Sequence, residues 1–215
     1  MKKIMFNEQY GLQSAVLERR KTMTRRTVVH PKHFHGHDDV VLEYHRRPGA
    51  DFCFDCVVLD ADDHELGQLP LPYEVGDVVA IAQSYESLVD NIYHGQEENF
   101  ANRVLKAHGK KKIGKVAGWR NKMFVRADLM PHQIRITDLW FKRLQAISDE
   151  DCLKEGVEKW IDCYIVPGIM ENQGKNNVCF DTPREAFAAL IDRISGKGTW
   201  QSNPWVIAYT FELVK

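Results

Sequence analysis

The spacing of apolar residues along the chain predicts short strands and a few helices. Apolar and polar positions alternate, or β-branched residues cluster, in the segments that we predict as strands: residues 2–6, 21–29, 40–44, 52–59, 77–84, 124–144 and 205–214. A turn at Pro48 and Gly49 is expected between the third and the fourth of these strands.

Apolar residues at helical spacing, bounded by capping residues, predict helices over residues 7–20, 97–108, 148–156 and 182–196. Asn7 is a favourable N-cap residue and is expected to begin the first helix. Ser148 and Thr182 are expected to open capping boxes. The glycines at positions 156 and 196 are expected to end the helices that these boxes begin.

The order of these elements lacks a regular strand–helix–strand repeat, which favours the α+β class. We predict a single domain over residues 1–215, built as a small β-barrel with about three helices packed on it. Residues 30–72 and 86–118 are less regular, and we expect them to be two insertions into this domain.

Composition places the 215-residue chain among globular proteins, with 44% hydrophobic and 27% charged residues. No apolar run is long enough to cross a bilayer, and the N-terminus lacks the apolar core of a signal peptide. Five cysteines at irregular spacing are expected to be reduced thiols rather than a disulfide framework. We therefore expect a cytoplasmic protein without a membrane partner.

Charge is unevenly distributed along the chain, although the net charge is only −1. Residues 1–35 carry a net charge of +6, and residues 106–126 carry +8 without a single acidic residue. Residues 55–99 carry −11 and contain no lysine or arginine. Such asymmetry indicates a cationic face that can meet phosphate, although charged blocks are also simply solvated surface.

The densest cationic stretch, residues 19–26, holds five basic residues around two threonines. It is expected at the C-terminus of the first helix, where cations complement the helix dipole. Alternatively, arginine and lysine at a turn form a fork for phosphate or a carbonyl group, with a hydroxyl nearby. Composition alone leaves both interpretations open.

The same stretch resembles the ASCH family, whose β-barrel is related to the PUA RNA-binding fold. The family pattern is Gly-x-Lys followed by Arg at the end of the first helix, and it falls on Arg19, Lys21 and Arg26, with Arg19 in the glycine position. Similar motifs follow in order over residues 73–79, 147–156 and 196–205, the last of which resembles the phage and prophage branch of the family. The resemblance covers most of the chain outside the two insertions and implies a PUA-like barrel.

Two activities follow from this resemblance. It implies RNA binding and, in a smaller branch of the family, hydrolysis of the acyl amide of N4-acylcytidine by a Lys, Thr and Glu arrangement. By motif position, these three residues are Lys21, Thr24 and Glu155. We expect the protein to bind RNA or a modified nucleoside in a cationic cleft lined by these residues and Arg26. The alternative is an amidohydrolase that deacylates such a nucleoside, and an RNA-cleaving enzyme is a third option, without a histidine pair to support it.

The chemistry of a Lys, Thr and Glu site is coherent. Thr24 would supply the nucleophilic oxygen, and Lys21 with a lowered pKa would remove its proton. Arg25 and Arg26 are expected to lower the pKa of Lys21 by like charge. Glu155 would orient Lys21 or protonate the leaving amine, although an exposed glutamate in a charged helix is the plain alternative. Lys21 and Thr24 share a face only in a turn or a helix, because side chains alternate along an extended strand.

Further nucleic-acid contacts are expected outside this stretch. Lys122 and Arg126 are expected on a strand of the cationic face, where they join Arg25 and Arg26 as phosphate contacts. Trp200, in a glycine-rich loop, is the preferred candidate for stacking on a base. Three other aromatic residues are alternatives that are more typical of a core: Trp119, Trp205 and Tyr85.

A metal site is not expected. Histidines crowd positions 30, 33, 35 and 37, and Cys53 and Cys56 form a CxxC motif. A second CxxC is lacking, and the period of a strand places Cys53 and Cys56 on opposite faces. Nucleotide-binding and metalloprotease motifs are also absent, so we expect neither a metal nor a cofactor.

Overall fold

The computed structural model describes residues 1–46, 52–90, 97–171 and 176–214. The predicted turn at Pro48 and Gly49 lies outside these residues. The described residues form a mixed α+β structure with a multi-stranded sheet, as the α+β prediction requires. None of their helices is long and apolar enough to pass through a bilayer.

The strands, in chain order, are β1 (Lys3–Ile4), β2 (Met23–Thr27), β3 (His33–Phe34), β4 (His37–Asp38), β5 (Val41–Arg46), β6 (Cys53–Leu59), β7 (Glu65–Gln68), β8 (Val78–Ile81), β9 (Gln133–Arg143), β10 (Glu158–Trp160), β11 (Cys163–Ile165) and β12 (Trp205–Leu213). The α-helices are α1 (Leu12–Leu17), α2 (Tyr85–Asp90), α3 (Glu97–His108), α4 (Asp149–Lys154), α5 (Pro183–Ser195) and α6 (Thr199–Ser202). Short 3₁₀ turns cover Ile113–Lys115, Lys122–Phe124 and Ala127–Leu129.

The chain separates into two compact units. The smaller unit consists of Met1–Phe6, Asp77–Arg135 and Leu213–Lys215, and the larger unit consists of Asn7–Gly76 and Ile136–Glu212.

In the smaller unit, β8 pairs in parallel with β1 and antiparallel with the first residues of β9. The apolar side chains of β8, α2 and α3 form a core in which Ala80, Tyr85 and Val104 are completely buried. The hydroxyl of Tyr85 also forms a hydrogen bond with His108 Nε2 at the end of α3, at a distance of 3.0 Å. This core supports the residues of the cationic segment, 106–126, that follow α3.

In the larger unit, β12 pairs antiparallel with β2, so that Thr24 faces Tyr209 and Arg25 faces Ala208. β6 pairs with β5 and β7 and also meets β9, where Cys53 faces Phe141. The paired strands of the described residues do not close into a ring. The predicted barrel is therefore not confirmed.

The predicted N-cap residues of the later helices are confirmed, whereas a reciprocal capping box is found at Thr182 and not at Ser148. The Ser148 hydroxyl accepts a hydrogen bond from the Asp151 amide at the start of α4. Thr182 and Glu185 form a reciprocal capping box at the start of α5, and Gly196 follows its last residue. These termini follow from local hydrogen bonding alone, which is why the sequence predicts them well.

The predicted start of the first helix is wrong. α1 begins at Leu12, after Gly11, which has a left-handed φ of 64°. The backbone oxygen of Asn7 accepts the hydrogen bond from the Leu12 amide, so Asn7 acts through its main chain and is not the N-cap residue. The described residues also contain two α-helices beyond the four predicted segments, because α2 and α6 are too short to show a periodic apolar pattern.

The expectation that all cysteines are reduced thiols is also wrong. A disulfide joins Cys163 to Cys179, whose Cα atoms are 5.6 Å apart. Residues 164 and 180 form an isolated bridge that brings these two segments together, a pairing that sequence spacing does not reveal. Cys53, Cys56 and Cys152 are free and buried.

Candidate functional site

The turn after α1 places the cationic stretch. Arg19 has a left-handed φ of 61°, a conformation that non-glycine residues rarely adopt. The amides of Arg20 and Lys21 both donate to the backbone oxygen of Ala15, which reverses the chain at the end of the helix. The turn directs the side chain of Lys21 into the protein, where only 2% of the residue is exposed.

The ammonium group of Lys21 is surrounded by hydrogen-bond acceptors. Its Nζ donates to the backbone oxygen of Met23 at 2.7 Å and to the backbone oxygen of Glu155 at 2.6 Å. It also donates to Glu155 Oε2 at 2.7 Å. These bonds compensate the ammonium for the water that it loses on burial.

Arg25 extends this contact into a buried ion-pair network, which consists of Lys21, Arg25, Asp151 and Glu155. The guanidinium of Arg25 donates to Glu155 Oε1 at 3.0 Å and to Asp151 Oδ2 at 2.9 Å, and its side chain is 1% exposed. Asp151 and Glu155 are four residues apart and therefore lie on the same face of α4 and its C-cap. Two cations meet two carboxylates, so the network is neutral when all four groups are charged.

The contacts of Glu155 explain why an acidic residue is tolerated at the C-terminal end of α4. Its carboxylate and its backbone oxygen both bind the Lys21 ammonium, which offsets the unfavourable effect of an acid near a helix C-terminus. Gly156 follows with a φ of 105°, and a Cβ there would lie 2.9 Å from Leu12 Cδ2 and 3.6 Å from Lys21 Cδ. The glycine therefore allows α4 to end directly against the Lys21 side chain.

Burial lowers the pKa of Lys21 below the ordinary lysine value of 10.5 and is the largest influence on it. The Glu155 carboxylate opposes this shift by charge and by its hydrogen bond. Arg26 and Arg25 lower the pKa further by like charge. The predicted effect of the two arginines is thus present, but it is weaker than the effect of burial.

Thr24 is not part of the hydrogen bonds described for the network. It lies in β2, directly opposite Tyr209 on β12, and it is 5% exposed. Side chains alternate along a strand, so Thr24 and Arg26 face away from the side on which Arg25 binds Glu155. The structure therefore brings Lys21 and Glu155 together, whereas β2 directs Thr24 to the other face.

Lys122 and Arg126 lie in the smaller unit, in and beside 3₁₀ turns. The prediction that they lie on a strand is wrong, because the Asn121 side chain accepts from the Met123 amide and caps a turn there. Lys122 Nζ donates to the backbone oxygen of Phe6. Arg126 binds both carboxylate oxygens of Asp128, at 3.1 and 2.8 Å, and the backbone oxygen of Ala107.

Trp200 lies in α6 of the larger unit, just after Gly196 and Gly198. It lines a cavity of about 420 Å³ together with Asp149, Thr182, Arg184, Glu185 and Ala188. The guanidinium of Arg184 sits 5.7 Å from the centre of its ring, and Phe187 packs edge-on against it. Trp200 is thus half-buried and already in contact with a cation.

The other stacking candidates divide between core and surface. Tyr85 is completely buried, and Trp205 stacks on Tyr44 with ring centres 3.9 Å apart. Trp119 instead lines a second cavity, in the smaller unit.

The CxxC motif belongs to the sheet of the larger unit. Cys53 and Cys56 are both buried in β6, and burial raises the pKa of the Cys56 thiol to about 11. Asp60, Asp62 and His64, which sequence reasoning missed, are close enough to share an ion. Asp60 Oδ1 already accepts from the amides of Asp62 and His64, which is the pattern of a turn.

The cationic segment 106–126 contains exposed lysines without a carboxylate partner among the described residues: Lys106, Lys110, Lys111, Lys112 and Lys115.

Comparison with known protein families, with curated proteins and with solved structures gives no match. The function of the chain is therefore inferred from its residues and their contacts.

Proposed function

We propose that the protein binds RNA, and that the phosphates of the RNA meet the cationic segment of the smaller unit. One observation carries this proposal: residues 106–126 hold eight basic side chains and no acidic one, and five of their lysines are exposed. Phosphate binding requires cations that can release condensed counterions from the nucleic acid, and exposed lysines meet this requirement.

The buried ion-pair network is a weaker candidate for phosphate binding. The charges of Lys21 and Arg25 are matched by Glu155 and Asp151, and both cations are almost completely buried. A phosphate at this position would have to displace a carboxylate from a buried cation, which is costly. The network is therefore better suited to hold the turn after α1 against α4.

Membership of the ASCH family and a PUA-like architecture are part of this proposal. The left-handed backbone of Arg19, at the position of the family's glycine, supports the resemblance because glycine favours that conformation. The inward-facing Lys21 two residues later also supports it.

Fluorescence anisotropy with a labelled single-stranded RNA tests the proposal. The test variant replaces Lys110, Lys111 and Lys112 with alanine. The control variant replaces Lys32, Lys159 and Lys197, exposed lysines of the larger unit, and changes the net charge equally. We expect the first variant to lose at least tenfold in affinity at about 100 mM salt and the control to lose less than threefold. Equal losses in the two variants would contradict the proposed surface.

Deacylation of an N4-acylcytidine-type nucleoside is a second candidate. It is favoured by the lowered pKa of Lys21 and its hydrogen bond to Glu155, which suit a general base held by a carboxylate. Thr24 Oγ1 would attack the acyl carbon, cytidine would leave with a proton as the free amine, and water would then hydrolyse the threonine ester to a carboxylate. The direction of Thr24 on β2 counts against this reaction, since its hydroxyl must reach Lys21.

The variant Thr24→Val tests this second candidate, because valine keeps the shape of threonine and removes only the hydroxyl. Turnover of N4-acetylcytidine is read from the change in ultraviolet absorbance. An amidohydrolase would lose all turnover in Thr24→Val and keep it in Thr27→Val, a substitution at an exposed position of the same strand. Failure of the unmodified protein to turn over the nucleoside would exclude this activity for that substrate.

A further inference from the structure

The smaller unit contains a cavity of about 490 Å³, which is lined by residues of the cationic segment between Gly114 and Phe124. Its lining includes Gly114, Trp119, Arg120, Asn121 and Phe124. This volume falls within the range of small-molecule binding pockets and exceeds what one planar heterocycle needs. The cavity therefore has room for a nucleobase with part of its sugar.

The walls of the cavity are held in place by contacts behind it. Glu86 Oε1 accepts hydrogen bonds from Trp119 Nε1 and from Arg120 Nε, both at 3.1 Å. Gly118, with a φ of 95°, packs against the ring of Tyr85 so closely that a Cβ would lie 2.9 Å from Tyr85 Cε2. The Trp119 ring is therefore fixed in orientation before any ligand arrives, which lowers the entropy cost of binding.

Phe124 lies at the rim of the cavity and is 60% exposed. A phenylalanine so exposed gains little from packing, and it stands close in sequence to Trp119 on the cavity wall. Aromatic rings of this kind stack on bases of single-stranded nucleic acid, whose faces are not occupied by neighbouring base pairs. In a duplex, the same base faces are already stacked.

The charge around the cavity complements a phosphate backbone. Lys115 lies between two lining residues, and Lys112 precedes the same 3₁₀ turn as its N-cap residue. Both lysines are exposed, and no acidic residue occurs between positions 106 and 126. An acidic protein would also meet this charge, but a nucleotide is favoured because it joins a planar base and a phosphate within one unit, as the aromatic rings and the neighbouring lysines require.

We propose that this cavity binds one base of single-stranded RNA, stacked against Phe124 and Trp119, while Lys112 and Lys115 contact the adjoining phosphates. The inference rests on the proposed RNA binding and adds a preference for single strands and a defined base site. Asn121 and Arg120 line the same cavity and can supply side-chain donors to the edge of the base.

The substitution Phe124→Ala tests the base site, with Met123→Ala as the matched control. Met123 is 59% exposed and adjacent in sequence but is not among the residues that line the cavity. Affinity is measured by fluorescence anisotropy for a single-stranded RNA and for a duplex of the same sequence. Because Phe124 is mostly exposed, circular dichroism is expected to show an unchanged fold for both variants.

We expect Phe124→Ala to weaken binding of the single strand between about 5-fold and 150-fold, the range found when one stacking aromatic is removed. The affinity of Phe124→Ala for the duplex should stay within about twofold of that of the unmodified protein. The affinity of Met123→Ala for the single strand should also stay within about twofold of the unmodified value. The fluorescence of a 2-aminopurine base in the single strand should be quenched less by Phe124→Ala than by the unmodified protein, because only the Trp119 ring remains.

Different results would overturn the base site and the proposed binding of RNA phosphates by the cationic segment. If Phe124→Ala binds single-stranded RNA as the unmodified protein does, while replacement of Lys110, Lys111 and Lys112 weakens binding, the base site is overturned and the proposed function stands. Equal weakening of single-strand and duplex binding by Phe124→Ala also overturns the base site. If the unmodified protein binds neither RNA, both the proposed function and the base site are overturned.

Discussion

Lys21 Nζ lies 2.7 Å from Glu155 Oε2, and the two side chains are only 2% and 5% exposed. The pair joins residues that are 134 positions apart in the chain. Through it, the turn that follows α1 is held against the last turn of α4. The contact has the burial and the hydrogen bonds of a structural ion pair. Burial lowers the pKa of Lys21, and the Glu155 carboxylate only partly opposes this shift.

Replacement of Lys21 by methionine should destabilise the protein strongly. The substitution keeps most of the side-chain volume but leaves Glu155 with one cation fewer in a buried site. We expect the free energy of unfolding to fall by about 3–5 kcal/mol, the usual cost of breaking a buried ion pair. Urea unfolding followed by circular dichroism measures this change.

Lys154→Met is the matched control for that experiment. Lys154 pairs with Glu150 on the same helix, 2.6 Å away, but in contact with solvent. Loss of this surface pair should cost about 0–1 kcal/mol. Similar stabilities of Lys21→Met and Lys154→Met would show that the Lys21 pair does not hold the structure together.

The lowered pKa of Lys21 predicts a pH dependence of stability. Between the native pKa of Lys21 and the ordinary lysine value of 10.5, the unfolded chain binds a proton that the native protein lacks. The free energy of unfolding should therefore rise with pH in this window, by up to about 1.4 kcal/mol per pH unit from this group. Below the native pKa, both states are protonated and the contribution is constant.

Unfolding measurements from pH 7 to pH 10.5, carried out on the unmodified protein and on Lys21→Met, isolate this contribution. The difference between the two stabilities should grow as the pH rises through the window. A difference that is flat or that shrinks with pH would contradict a lowered pKa for Lys21.

Gly118 is expected to be intolerant of substitution. Its φ of 95° disfavours a side chain, and a Cβ would also lie 2.9 Å from Tyr85 Cε2 and 3.0 Å from Val125 Cγ1. Gly118→Ala should lower the free energy of unfolding by about 2–4 kcal/mol, since overpacking adds to the backbone cost. Gly109→Ala, at a φ of 59° with open space around the Cβ, should cost only about 1–2 kcal/mol.

Denaturant-induced unfolding of the two glycine variants measures these free energies. If both variants lose the same stability, the wall of the smaller unit's cavity can shift to accept a side chain. The fixed orientation that we assign to Trp119 would then be wrong.

Local sequence patterns predicted the elements whose boundaries depend on local hydrogen bonds. The capping residues Ser148 and Thr182 mark the starts of α4 and α5, and α3 and β12 lie where periodicity places them. The left-handed turn at Gly11 could not be inferred, because Asn7 is an equally good cap on local grounds.

The candidate site was predicted only in part, because its partners are distant in sequence. Motif order indicated that Lys21 and Glu155 belong together, and the structure places them in contact. The role of Asp151 as a second partner of Arg25 depends on the docking of α4, which no local pattern reports. The same reason explains why the Cys163–Cys179 disulfide was not foreseen.

If the exposed lysines of residues 106–126 bind RNA phosphates, the affinity for RNA must fall with salt concentration, and these lysines must account for part of that fall. Single-strand affinity is measured from about 50 to 300 mM salt for the unmodified protein and for the variant with alanine at positions 110, 111 and 112. Each lost phosphate contact should reduce the slope of log affinity against log salt by about 0.7, so the variant should have a slope shallower by about 2. Identical slopes for the two proteins, or an affinity that salt does not change, would show that these lysines do not bind the phosphates.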